Sequence, residues 1–211
     1  MFALLKNFFT VLILSSPIYL WSDENPYNFI DSNAQKMVIV LKENKSLFLE
    51  DRQLYEQKIK EIFEPMIDFR RVAATVMGKK YYLASSKEQR AEFVVIFKDS
   101  LLDTYAETLA QWENQTITTI FPKNMEIQIY DLKNIEVQQT LNTGSSKYPI
   151  SYKLRKNKDN SWSIVNIIVN GVNLGLTFRN QFQALAIKNN GNIESTLNGW
   201  VSDAGDAGIS G

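Results

Sequence analysis

The stretch Trp162-Ser-Ile-Val-Asn-Ile-Ile-Val-Asn-Gly-Val-Asn-Leu-Gly-Leu-Thr-Phe-Arg-Asn-Gln-Phe182 decides the fold. It reads as a strand, a glycine break at Gly171, and an amphipathic helix. Both parities of the strand are largely apolar: Trp162, Ile164 and Ile168 on one face, Val165, Ile167 and Val169 on the other. A half-buried antiparallel strand alternates, so this one is expected to carry apolar cover on two sides. That cover is core or a greasy ligand.

Upstream the period is also two. Met125, Ile127 and Ile129 alternate with Glu126, Gln128 and Tyr130. Ile135 and Val137 alternate with Glu136 and Gln138, and Leu141 keeps their parity. Tyr148, Ile150, Tyr152 and Leu154 alternate with Pro149, Ser151, Lys153 and Arg155. Turn-rich links at 131–134, 142–146 and 157–160 separate these runs. With the Trp162 strand they predict a four-stranded antiparallel meander, one face covered by helices. Pro149 suits an edge or an outward N–H.

Helical spacing flanks the strands. Phe29, Ile30, Ala34, Met37, Val38 and Leu41 mark a helix over 28–45, and Leu54, Tyr55, Ile59, Ile62 and Phe63 one over 50–63. Pro65 restarts the chain, and a short helix over 68–77 is expected to stop at Gly78. Ser85-Ser-Lys-Glu88 is a capping-box pattern that starts the longest helix, running to Trp112. Phe93, Phe97, Leu101, Tyr105 and Leu109 recur every four residues along it, as core or as pocket wall. Leu174, Phe178, Phe182 and Leu185 stripe a further helix, and Ile193, Leu197 and Trp200 a short last one.

A length of 211 residues suits one sizeable domain, and 23 cations against 23 acids leave no electrostatic footprint for nucleic acid. The chain has no Cys and no His. That removes thiol nucleophiles, histidine-based triads, the usual zinc ligand sets and disulfides. Catalysis would have to rest on carboxylates, Lys or Tyr.

Lys6 precedes the apolar run Phe8–Leu14, then Ser15-Ser-Pro17 and Ile18–Trp21. This has the basic start and short apolar core of a secretory signal, expected over 1–22 with Ser22 last. An uncleaved anchor is the other reading, but Pro17 interrupts a run shorter than the ~20 residues a spanning helix needs. The domain is then expected over 23–201, with a disordered tail from 202 to 211 that is poor in large apolar residues.

Polar candidates are few. Asp131 and Asp159 sit at strand ends, where turn aspartates are ordinary. Asn166 and Asn170 share the face of Trp162 and Ile164 by parity, as satisfied amides or as groups that orient a ligand. Arg70-Arg71 and Lys79-Lys80 are solvated helix ends or a docking place for a partner or lipid phosphates. Gly78, Gly171 and Gly175 form no phosphate-cradling loop.

Two blocks resemble the MlaC, or toluene-tolerance, family of periplasmic phospholipid-binding proteins. The first is Asp68-Phe-Arg-Arg-Val-Ala through Met77-Gly-Lys-Lys-Tyr-Tyr-Leu-Ala-Ser, then Glu88-Gln-Arg90, Phe93, Phe97, Leu101 and Thr104-Tyr-Ala106. The second is the Trp162–Phe182 stretch. Asn166 and Asn170 stand where the family usually has acids, Asn173 where it has Ser, and Phe178 where it has Tyr. The resemblance implies an NTF2/cystatin-like curved sheet wrapped by helices, with acyl chains between sheet and helices. It also implies a periplasmic shuttle between an outer-membrane lipoprotein complex and an inner-membrane ABC lipid transporter, serving outer-membrane lipid asymmetry.

The physics suits such a carrier. Two acyl chains with ~30 methylenes, at ~0.8 kcal/mol each, would cost on the order of 24 kcal/mol to expose to water. The residues expected to line the pocket are Phe97, Leu101, Tyr105, Ile127, Val137, Ile150, Tyr152, Ile164, Leu174 and Phe178. The cargo would be phospholipid, with no cofactor and no metal, carried by a monomer. Two rivals stay open: an NTF2-like enzyme using a pocket carboxylate as base, and an interaction module with a dry core.

Overall fold

The structure, a computed structural model, describes residues 25–123 and 131–203, without the side chain at 107. The expected signal at 1–22, the strand at 125–130 with Ile127, and the tail from 204 onward lie outside the described residues. Ser202, where that tail was expected to begin, is buried, its N–H donating to Ser100 Oγ at 2.6 Å. No described helix is long and apolar enough to cross a membrane.

The N-terminal half is helical: α1 (Pro26–Glu43), α2 (Leu47–Glu50), α3 (Arg52–Met66), α4 (Phe69–Ala84) and α5 (Lys87–Ala110). Asn25 caps α1 by accepting from the N–H groups of Tyr27 and Asn28, with Pro26 in the first turn, where no N–H is needed. The capping box of α5 lies one residue later than the sequence suggested. Ser86 Oγ accepts from Gln89 N at 3.1 Å, and Gln89 Oε1 from Ser86 N at 3.0 Å. Ser85 instead turns inward and donates to the Tyr81 carbonyl. Gly78 does not stop α4. It breaks it at φ +70, and the helix resumes at Lys79.

The fold is α+β, with a five-stranded antiparallel sheet in the order β1-β2-β3-β4-β5. The strands are β1 (Thr116–Ile120), β2 (Asn134–Asn142), β3 (Lys147–Lys156), β4 (Trp162–Val169) and β5 (Val172–Asn173). Two of them, β1 and β5, were not expected, so the four-strand count is corrected to five among the described residues. Asn170 and Gly171, at φ 49 and 83, make the two-residue turn that folds β5 back on β4. Helices α6 (Leu174–Lys188) and α7 (Ile193–Asn198) follow.

The two-faced reading of β4 is also corrected. Register against β3 pairs Leu154 with Ile164 but Lys153 with Asn166, leaving Val165 as an extra residue in a bulge. Past it the parity flips. Trp162, Ile164, Ile167 and Val169 therefore share the face of Leu154, Tyr152 and Ile150, while Asn166 and Ile168 join Lys153 and Ser151 on the other. One apolar face and the extra residue Val165 account for most of the apolar run, and Ile168 alone adds an apolar side chain to the other face.

Three apolar clusters result. One joins α4, α5, α6 and α7; one joins the inner sheet face to α1 and the end of α3; one joins α1, α2, α3 and α5 around Leu41, Tyr55 and Ile59.

Candidate functional site

The two sequence blocks meet in space, because α4 from the first packs against α6 from the second and α5 meets α6 through aromatic rings. Their seam is aromatic. Phe97 stacks edge-on against Phe178 with ring centres 5.5 Å apart, Phe93 against Phe182 at 4.9 Å, and Trp200 closes on Phe93 at 5.4 Å. Phe97 and Phe178 are 0% and 3% exposed, so both are core of this cluster. Leu101, Tyr105 and Leu174 are only half-buried, packed against its edge.

Three other expected residues belong to the sheet cluster. Val137 and Ile164 are buried there beside Trp162, Leu154, Phe29, Ile30 and Met66. Tyr152 lies between them, paired across the strands with Val137 and Ile167, half-buried, and burial pushes its hydroxyl above the ordinary phenol pKa. Ile150, two residues along the same face, is half-buried opposite Gln139 and Val169. Ile127 lies outside the described residues.

The expected residues thus fall in two groups rather than one ring. Ile67 joins the groups: its side chain packs against both clusters, and its backbone bridges to Ile164. Asp68 N donates to the Ile164 carbonyl at 3.1 Å. Sequence reading missed Ile67 because it sits between two helices, where neither period applies.

A polar chain also went unread. Gln139 is 1% exposed on the inner sheet face. Its Nε2 donates to Thr119 Oγ1 at 2.8 Å, and Thr119 Oγ1 donates to Asp31 Oδ1 on α1 at 2.7 Å. Gln139 Oε1 has no partner among the described residues. A glutamine at the inward parity of Val137 was the available signal.

The start of α6 is held by amides. Asn166 Oδ1 accepts from Gly175 N at 3.0 Å, and Asn166 Nδ2 donates to Asn173 Oδ1 at 2.9 Å. Asn173 Oδ1 also caps the helix by accepting from Leu176 N at 3.1 Å. Asn166 is therefore occupied with the helix start and not aimed at a ligand. Gly175 must stay small, since a Cβ there would stand 2.5 Å from Asn166 Oδ1.

The outer sheet face carries a shallow hollow of 270 Å³, lined among others by Ile120, Glu136, Gln138, Pro149, Ser151 and Ile168. Glu136 accepts from Lys153 and Ser151, which hold its carboxyl down at about 2. The other carboxylates that shift, Glu88, Glu113 and Asp159, also shift down, Glu88 through hydrogen bonds from its own backbone N–H and from Ser86, Glu113 through Lys45 and Asp159 through Ser161. Asp159 is a turn residue whose Oδ1 accepts from Ser161 N and Oγ. Among the described residues no cluster of carboxylates is placed to hold a metal ion.

Comparison with known proteins places this geometry. The chain is 26% identical over 208 residues to the toluene tolerance protein ttg2D of Pseudomonas putida, covering 98% of this chain and 94% of that one. It is 24% identical to the intermembrane phospholipid transport system binding protein MlaC of Haemophilus influenzae, covering 97% and 89%. In fold it resembles the phospholipid-binding protein from Ralstonia solanacearum solved with a phospholipid, with a TM-score of 0.73 and 23% identity over 83% of this chain and 94% of that one. Residues 31–202, from Asp31 of the polar chain to buried Ser202, match the family described as MlaC protein, and the chain belongs to that family.

Proposed function

We propose that the protein binds phospholipid and transports it, holding the acyl chains between the inner sheet face and helices α5 and α6. Membership of the MlaC family carries the reading, and the phospholipid transport named for the Haemophilus influenzae relative agrees with it. The two apolar clusters that meet at Ile67 supply the place: Leu101, Tyr105 and Leu174 edge one, Tyr152 edges the other with Ile150 next along the same sheet face, and all five are only partly buried. Acyl chains would enter by parting these edges, whereas Phe97, Phe178, Val137 and Ile164 would back the walls.

The finer reading is a periplasmic carrier, exported by the segment at 1–22. It would pass lipid between an outer-membrane lipoprotein complex and an inner-membrane ABC transporter, on a curved sheet of the NTF2/cystatin kind. Protein purified without detergent and extracted with organic solvent should yield phospholipid near one per chain by mass spectrometry. An extract empty of phospholipid overturns it. The rival enzyme reading needs a carboxylate with a raised pKa, and Glu136 in the outer hollow, held down at about 2, is a poor proton acceptor near neutral pH.

A further inference from the structure

Helices α4 and α6 cross at Gly78, where a Cβ would stand 3.2 Å from Gln183 Nε2 and 3.4 Å from Arg179 Nε. Between them they carry Arg70, Arg71, Lys79, Lys80, Arg179 and Lys188 and no Asp or Glu. The chain as a whole has 23 charges of each sign, so this is segregation and not excess. All six cations are exposed, and Asp68, the residue capping α4, offsets only Arg71, at 3.0 Å. By contrast α5 holds Glu88, Glu92, Asp99, Asp103 and Glu107 against Lys87, Arg90 and Lys98.

The same two helices expose large aliphatic side chains: Leu83 at 65%, Leu176 at 53% and Ile187 at 69%. Cations beside exposed aliphatics, on packed helices without acids, match a surface that lies in a phospholipid headgroup layer. Half of the cations are lysines, whose ammonium groups on flexible stems suit a fluid array of phosphates better than one fixed partner geometry. We propose that the α4–α6 face docks on the surface of an anionic phospholipid bilayer, with Lys79, Lys80, Arg179 and Lys188 at the phosphates and Leu83, Leu176 and Ile187 dipping among the headgroups.

This goes beyond cargo binding and is tested apart from it. Vesicles of phosphatidylglycerol with phosphatidylethanolamine should sediment the full protein at low salt, and vesicles of phosphatidylcholine alone should not. The variant K79E/K80E/K188E should partition at least a hundredfold less, at roughly fivefold for each cation removed, while K36E/K42E/K58E on α1 and α3 binds as wild type. L83Q/I187Q should weaken binding even where salt is low. Circular dichroism and the amount of phospholipid co-purifying with each variant separate a lost surface from a lost fold or a lost cargo site. No vesicle binding at low salt, equal binding to neutral vesicles, or an equal loss in the α1–α3 variant overturns the proposal. Binding to an acidic polymer without binding to vesicles also overturns it and assigns the face to an acidic macromolecule.

Discussion

Asn166 donates to one neighbour and accepts from another, which a carboxylate cannot do at neutral pH. The resemblance implies an acid here and a Ser at 173, a pair that would suit each other because a hydroxyl can donate to a carboxylate. Here both positions are Asn, so the two departures act as one exchange that keeps the hydrogen bond by reversing its direction. N166D should therefore destabilise by about 1–3 kcal/mol, through a carboxylate set against Asn173 Oδ1, and N166D/N173S should recover much of it in thermal unfolding. Glu136 gives a pH signature. Its folded pKa near 2 lies below the ordinary 4.5, so its contribution is present above pH 4.5 and lost as pH falls through 2. E136Q should flatten stability against pH within that window, and solvent screening of this exposed pair limits the effect to below about 1 kcal/mol.

At the scale of elements, the bulge at Val165 sets which residues of β4 look inward. Deleting Val165 would set Ile164 and Asn166 side by side opposite Leu154 and Lys153, erasing the bulge while keeping Ile167 and Val169 inward, so the variant should still fold, at a thermal-unfolding cost that reports only the lost local twist. Parity counting could not see this. An inserted apolar residue inside an apolar run leaves the run looking two-faced, and only the position of Asn166 hints at the slip. Most helices were legible because helical spacing is a local signal, as with Phe29–Ile30–Met37–Leu41 and Phe93–Phe97–Leu101. Strand β1 was passed over because alternation is weak in Thr116-Ile-Thr-Thr-Ile120, although all five residues are β-branched and favour a pleated surface. Gly78 was read as a stop because sequence shows the break but not the packing across it. Its φ of 70 and ψ of 161 lie in a region that essentially only glycine adopts, so G78A should destabilise by about 1–3 kcal/mol, measurable by denaturant unfolding.

Over the whole molecule, the expected pocket residues separate into wall backing and lining. F97A should cost about 3–5 kcal/mol of stability because its ring is wholly buried. L101E/L174E alters half-buried positions at the cluster edge, so its fold should persist while co-purified phospholipid falls severalfold. Removing the lipid should lower the melting temperature, since a ligand held only by the native state stabilises it. Sequence could find the apolar residues but could not divide them, because core and pocket wall share one composition. The hydrogen bond from Thr119 to Asp31 spans 88 residues of chain, and Gln139 lies further along still. The hairpins of the sheet, by contrast, pair neighbours. Chain closure over so long a segment is slow and costly before it is rewarded, so α1, although made first, is expected to settle on the sheet among the last events of folding. T119V, which cuts the clasp while keeping a β-branched residue, should then hasten unfolding and leave the folding rate nearly unchanged.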